Sequence, residues 1–314
     1  MKTGALIVPT GIGASIGGFA GDASIWARKL AKHCRLIVNP NVVNAACFSG
    51  ITDNMLYVEG YSLDDFFKGK CKLQPSCENK VGVIFDKAIK QEVLNVHINT
   101  INAVKTVYGI DICGYEITQE DTGVEFFVDN SGVSMGNVKN LETIKDAACK
   151  LIQKGAEAIA IVCRFPDEQG DDYTNGIGVD PVGGVEAIIS HYISKELKIP
   201  CAHAPAFDDI TISTDIVDSR CSAEYITPTF LPCILIGLSQ APKLSQTEGI
   251  GIDDTDFIVI PYNALGGIPV LEMIKRNKKV YAIKENKSVL DVTPDKLGIN
   301  CIVLESYQEL IEQI

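Results

Sequence analysis

The chain is expected to be an α/β protein built on mostly parallel, doubly wound sheets, and three observations lead there. Ala5-Leu-Ile-Val8, Ala158-Ile-Ala-Ile-Val162 and Phe257-Ile-Val-Ile260 are short continuous apolar runs, the pattern of parallel strands buried on both faces. Each run meets a proline and then a glycine-rich turn, at Gly11 to Gly18, Gly183-Gly184 and Gly266-Gly267. Each turn opens a helical stretch, at Ala23 to His33, Val185 to Lys198 and Val270 to Lys278. Strands alternating with helices imply a parallel sheet covered on both faces.

In chain order, Leu36 to Pro40 reads as a second strand, followed by a loop or short helix through Cys47. Asn54 to Glu59 reads as a third strand, and Ser62 as the cap of a helix running to Phe67. Gly69 to Lys80 is expected to be loop and Val81 to Phe85 strand. Ala88 to Tyr108 is a long amphipathic helix with Leu94, His97, Ile101, Val104 and Tyr108 on one stripe, ended by Gly109. Ile110 to Ile117 and Val124 to Val128 read as strands. Residues 129–137 carry turn chemistry without periodicity. They mark the expected boundary between an N-terminal α/β domain, 1–128, and a C-terminal one, 129–314.

Leu141 to Lys154 reads as helix, and the loop 167–181 holds Asp167, Glu168, Asp171, Asp172 and Asp180, long enough for a lid. Ile199 to Pro205 is a strand and its C-terminal end, Ser219 the cap of a helix, Phe230 to Leu238 buried, and Lys243 to Asp256 surface loop. Strands at Val280 to Ile283 and Cys301 to Leu304 precede a terminal helix.

A net charge of -12 on 314 residues argues against a nucleic-acid partner, which needs a basic footprint. The N-terminal apolar run is too short for a signal h-region, and the longest apolar run is half a membrane span. The expectation is a soluble, cytoplasmic protein, with no membrane partner and with homo-oligomerisation left open. Eleven cysteines occur without a Cys-x-x-Cys pair, which indicates reduced thiols and no metal site.

Helix N-termini behind glycine turns favour anions, so the expected ligand is a small anionic metabolite bearing carboxylate or phosphate. Thr10, Gly11, Gly13, Gly17, Gly18, Asn39, Asn44, Gly183, Gly184, Asn263, Gly266 and Gly267 are its candidate contacts on one rim of strand ends. The second strand ends Asn39-Pro40-Asn41, without the acidic residue that binds an adenine ribose. No cofactor is therefore required, although NAD(P) or Mg²⁺ is compatible with the pattern. Of the four histidines, His33 complements a helix dipole, His97 lies on an apolar stripe and His191 on a polar helix face. His203 follows a strand beside Cys201 and shortly before Asp208 and Asp209. The expected chemistry is proton transfer, of the isomerase, racemase or lyase kind. Cys201 and His203 would be an acid–base pair facing Cys163, with Asp208 or Asp209 orienting the imidazole. Lys243, Lys284 and Arg164 are the basic residues near expected strand ends. A nucleotide- or nucleotide-sugar-dependent transferase or oxidoreductase, and a non-catalytic ligand-binding protein, are the alternatives.

The segments Ala5-Leu-Ile-Val-Pro-Thr-Gly-Ile-Gly-Ala-Ser-Ile-Gly-Gly18, Asn39-Pro-Asn-Val-Val-Asn-Ala45, Leu56-Tyr-Val-Glu-Gly-Tyr61, Thr229-Phe-Leu-Pro-Cys-Ile-Leu-Ile-Gly-Leu238 and Gly266-Gly-Ile-Pro269 resemble a bacterial family known as domain of unknown function 3326. The resemblance covers nearly the whole chain and implies one unit of conserved length, with no activity attached. The strand–cysteine pattern is also loosely similar to aspartate/glutamate racemases. Their Cys-Asn-Thr turn is absent, since Cys163 is followed by Arg-Phe-Pro.

Overall fold

The computed structural model describes residues 1–76, 78–167 and 173–314. Glu168, Asp171 and Asp172 of the expected acidic lid, and Cys77, lie outside the described residues. The first part of the chain forms β1 (Thr3–Leu6), α1 (Ser24–Leu30), β2 (Arg35–Val38), α2 (Pro40–Val43), β3 (Asn44–Ala45), β4 (Phe48–Ser49), β5 (Met55–Tyr57) and α3 (Gly60–Phe67). Next come β6 (Lys72–Gln74), β7 (Val81–Phe85), α4 (Gln91–Tyr108), β8 (Ile112–Ile117), β9 (Val124–Val128), β10 (Ser134–Val138) and α5 (Leu141–Gln153). Then follow β11 (Ala158–Arg164), α6 (Gly183–Leu197), β12 (Cys201–Ala206), α7 (Ser222–Tyr225), α8 (Leu231–Ser239) and β13 (Lys243–Ser245). The chain closes with β14 (Phe257–Pro261), α9 (Ile268–Lys275), β15 (Lys279–Ile283), α10 (Pro294–Leu297), β16 (Ile302–Leu304) and α11 (Tyr307–Gln313).

Two parallel sheets carry the fold, as the apolar runs required. The larger has the order β16-β15-β14-β1-β2-β5 and the smaller β12-β11-β7-β8. Alternate residues of each strand feed opposite cores. In the larger sheet Leu6, Val38 and Val259 enter one core while Ala5, Ile37 and Ile258 enter another. In the smaller sheet Ala160 and Ala204 face the first of these cores, while Ile161 and Cys201 enter a third. The core shared by both sheets is the centre of the molecule, and α8 lies in it. That helix is buried at every position but Pro232, as a helix apolar on all sides must be. It packs on β11, β12 and β7, and toward the larger sheet its Gly237 meets Tyr57. A Cβ there would stand 2.8 Å from the tyrosine ring. At its end Asn79 donates to the carbonyls of Leu238 (2.9 Å) and Ala241 (2.7 Å), satisfying acceptors that a helix leaves unpaired.

Several expectations need correction. The larger sheet joins strands from both ends of the chain and the smaller comes from the middle, so sheet membership does not divide at residue 128. Residues 129–137 are no crossing: Asp129 and Val133 close a turn and β10 pairs antiparallel with β9. The two supposed loops, 69–80 and 243–256, pair with each other through β6 and β13. Two short segments distant in sequence found edge partners, which single-segment periodicity does not register. Glu59, and not Ser62, caps α3 by accepting from the N–H groups of Tyr61 and Ser62, and Cys221 precedes α7 in place of Ser219. His97 is a core histidine, its Nδ1 2.9 Å from the Val93 carbonyl. Tyr108, at the end of that stripe, is exposed.

Asn79 is 1% exposed, so removing its amide strands the Ala241 carbonyl, while that of Leu238 keeps the Ala241 N–H (3.2 Å). Asn79→Ala is expected to cost about 1–3 kcal/mol, as for one buried acceptor left unsatisfied. Urea unfolding monitored by circular dichroism measures this. A loss under about 0.5 kcal/mol would show that water or local relaxation takes over the role.

Candidate functional site

Strand ends of both sheets converge on one cavity of about 140 Å³, where ligands of open α/β sheets bind. Thr10 follows β1, Asn39 follows β2, Glu59 follows β5, and His203 and Pro205 lie on β12. The first turns of α6 and α8 complete the wall, α8 supplying Cys233 and Ile234. Over it runs the irregular segment 207–230, which holds only the single-turn α7. This segment is clasped to 173–176: Asp218 N–H donates to the Thr174 carbonyl (2.9 Å) and Arg220 to the Gly176 carbonyl (2.7 Å). Phe19, Tyr173 and Cys221 form a small core of their own beneath it.

The chemistry of the cavity is set by carboxylates. Asp180 before α6, Glu186 on α6 and Glu224 on α7 all line it. Burial pushes the Glu186 carboxyl well above its ordinary range, and the charges of Asp180 and Glu224 push it further. Burial and then Asp180 raise Glu224 to about 8, against the hydrogen bond from Tyr173. Asp180 is raised to about 6 by burial although it accepts from Val182 and Gly183 N–H groups. Like charges in a partly desolvated space cannot all ionise, so burial and its neighbours favour the protonated form of Glu186.

His203 sits against this cluster. Its Nε2 is 3.7 Å from Glu186 Oε2 and its Nδ1 is 3.0 Å from Ser190 Oγ. The Ser190 hydroxyl donates to the Ala187 carbonyl (3.3 Å), which leaves its oxygen to accept from Nδ1–H. That assigns the tautomer and leaves Nε2 as a bare acceptor. Burial, with the charge of His191 adding to it, lowers the His203 pKa to about 3, so the ring is neutral. Glu186 Oε1 and Asn44 Oδ1 are buried without a hydrogen-bond partner. His191, on a polar helix face, is exposed as expected and also borders the cavity, 3.1 Å from Glu59 Oε1.

Of the residues singled out from sequence, His203, Thr10, Gly18, Asn39 and Asn44 are brought together here. The thiols are not. Cys201 is 1% exposed and donates to the Ser190 carbonyl (3.0 Å). Burial, then the nearby Glu59 charge, pushes its thiol well up. Cys163 is likewise buried and likewise raised, by burial and then Asp86. Both thiols are held toward the neutral form, and neither lines the cavity. Asp208 is committed to Arg164 (2.9 Å) and Lys90 (3.1 Å), and Asp209 accepts from Thr211 N–H. The carboxylate beside His203 is Glu186.

The anion-binding turns are also spent internally. In the first, Ser15 N–H donates to the Lys287 carbonyl, Ile16 N–H to Asn286 Oδ1, and Gly17 N–H to Asp22. Gly11 and Gly13 take positive φ and pack tightly, a Cβ on Gly13 falling 2.9 Å from the Gly178 carbonyl. Asp180 accepts from Val182 N–H (3.1 Å) just before α6, and Gly184 N–H donates to Ser134 Oγ (2.9 Å). Asn263 is taken up by the Ser288 and Leu290 carbonyls, and Gly266 and Gly267 lie on the exposed entry to α9 away from the cavity. Arg164, Lys243 and Lys284 pair with Asp208, Glu157 and Glu305. No Lys or Arg lines the cavity among the described residues. Among them, no group of three or more His, Cys, Asp and Glu is arranged to hold a metal ion.

The chain belongs to the family described as protein of unknown function (DUF3326), whose model matches residues 3–314. It is 40% identical over 319 residues to a protein of Synechococcus sp. named an uncharacterized lipoprotein, covering 98% of this chain and 89% of that one. The expected cytoplasmic location is corrected by this relative, whose name is that of a lipoprotein. Among the described residues no helix is long and apolar enough to cross a membrane.

Two outcomes follow. Cys201 and Cys163 resist iodoacetamide in the native protein and label only on unfolding, whereas fast native labelling of either would restore a thiol role. Glu224 binds its proton more tightly folded, with a pKa of about 8, than unfolded, so stability falls as pH rises from the ordinary carboxylate range through about 8. Glu224→Gln should shallow that fall by at most about 1.4 kcal/mol per pH unit, read from urea midpoints between pH 5 and 8. An unchanged slope would place the titration elsewhere.

Proposed function

We propose that this DUF3326 protein is an enzyme that transfers protons at a small molecule bound in the cavity, in the manner of an isomerase or lyase. His203 and Glu186 are the acid–base pair. One observation carries the reading: a protonated buried carboxyl stands 3.7 Å from the bare nitrogen of a neutral imidazole, both facing a ligand-sized cavity. A pair of titratable groups pushed apart in opposite directions is the usual basis for assigning acid and base.

The division of labour follows from the shifts. As Glu186 gives its proton to the substrate, the carboxylate left behind raises the basicity of His203. His203 Nε2 then accepts a proton from another position of the substrate, and the proton count of the site is conserved. Ser190 fixes the imidazole through Nδ1, as an oriented base requires. The substrate brings hydrogen-bond donors, since Glu186 Oε1, Asn44 Oδ1 and His203 Nε2 all accept. This departs from the anionic metabolite expected from the glycine turns and needs neither NAD(P) nor Mg²⁺. The lipoprotein name of the relative is extended to this chain as part of the proposal, as attachment to a membrane surface through lipid.

A thermal-shift panel of polyols, amines, amino acids, dicarboxylates and phosphorylated sugars identifies ligands. A ligand at 100 times its Kd stabilises by about 2.7 kcal/mol. Each hit is then incubated in D₂O and followed by NMR. Deuterium at a carbon-bound position or conversion to product is expected, lost by about 10²-fold or more in His203→Gln and Glu186→Gln with the fold retained. Binding without exchange or conversion would leave a ligand-binding protein and sink the catalytic reading.

A further inference from the structure

The cavity does not end at its own mouth. A second, outer cavity shares Phe207, Glu224 and Phe230 with it, so these side chains form the wall between the two. The Phe207 and Phe230 rings meet edge to face, with centroids 6.2 Å apart and planes at 78°. The outer cavity carries Asp167 and Asp209 besides Glu224, and no Lys or Arg lines it among the described residues. Acid therefore lines both cavities, with the aromatic pair between them.

From this geometry we infer that the ligand is an organic cation, carrying an ammonium or guanidinium group, which enters through the outer cavity, passes Phe207 and Phe230, and seats its charge against Glu186 and Glu224, releasing a proton of that pair to solvent as it binds. The inference uses the cavity assigned to proton transfer but does not need the chemistry. Glu186 is 7% exposed and its Oε1 has no partner. A buried carboxyl oxygen in that state is costly, and it is relieved by a donor arriving with positive charge. Asn44 Oδ1, from a different element of the same wall, is a second orphaned acceptor. An ammonium offers three N–H donors and a guanidinium five, with no acceptor to leave unmatched. Phe207, Phe230 and Tyr173 add aromatic side chains to the lining, and an aromatic ring attracts a cation. A neutral polyol would satisfy the hydrogen bonds but leave the acidic path unexplained, and an anion would be repelled at each stage. A metal ion demands ligand groups converging at bonding distance, and the described residues hold no such group.

Calorimetry separates the cases, using n-butylamine and butylguanidine, the neutral isostere n-pentanol, butyrate, and MgCl₂ or CaCl₂ alone, all at fixed ionic strength. The amine or guanidine should bind at least tenfold more tightly than pentanol, and butyrate should not bind. Glu186→Gln should lower the affinity for the cation at least tenfold and leave that for pentanol unchanged. Should that variant fail to fold, Asp209→Asn on the surface of the outer cavity serves. Followed by stopped-flow at several ionic strengths, its association rate for the cation should fall several-fold, with a weaker salt dependence than the wild type. Equal binding of pentanol or butyrate, a full response to the divalent metal alone, no response to any cation, or indifference of both variants would each overturn the inference. Failure of proton transfer shows separately, as a bound amine recovered without deuterium, and leaves the ligand class standing.

Discussion

The structure depends on burying α8. A helix apolar on every side cannot lie on a surface, and here both sheets serve to cover it. The smaller sheet packs on it directly, and the larger reaches it through Tyr57 and Gly237. Alanines at 160, 202 and 204 line the smaller sheet toward this core while Ile159 and Ile161 face the other way, which leaves room for a helix on the inner side. The cost of burying its C-terminal carbonyls is met by Asn79. The first turn of the same helix delivers Cys233 and Ile234 to the ligand cavity, so the element that fills the centre also sets the floor of the site.

From that constraint the position of the site follows. Parallel strands end on one side, and two parallel sheets packed around a shared helix bring two sets of carboxyl ends together. The carboxylates come from what lies beyond those ends. Asp180 arrives on the loop after β11, Glu186 on the helix that follows, and Glu224 on the segment laid across the opening. Burial is what chiefly raises their proton affinity, and the neighbouring carboxylate charges add to it at Glu186 and Glu224. Paired or protonated carboxyls of this kind destabilise a fold, and such strain is usually kept where it serves a ligand.

Much of the fold was legible because its strands bury both faces. Runs such as Phe257 to Ile260 have no polar alternation to confuse, and Gly109 ends α4 with φ of 69° as its position suggested. What escaped was pairing between distant short segments, β6 with β13 and the terminal strands with the N-terminal ones. No local pattern encodes a partner two hundred residues away. The site was half legible. His203 was found because a histidine at a strand end amid small residues is unusual. Cys201 was misjudged for the reason that made it conspicuous, since it shares a strand face with His203 but points into a packed helix contact, where Ser190 and Ser194 hold it. Glu186 and Glu224 gave no signal, because a single acid in a helix is ordinarily a solvated one. A glutamate on the apolar side of α6, between Val185 and Ile189, was the available clue.

The placement of Glu224 joins closure to chemistry. It is held by the covering segment, through α7 and the contacts of 218–220 with 173–176, and it reaches the cavity beside Tyr173, whose hydroxyl donates to it at 3.2 Å. Lifting that segment would take Glu224 away from Asp180 and into water, where its proton affinity returns to the ordinary range, and the repulsion that raises Glu186 would relax with it. The part of the Glu186 shift that Glu224 contributes is thus a property of the closed arrangement, on top of the larger part due to burial. A ligand that favours closure would strengthen that part.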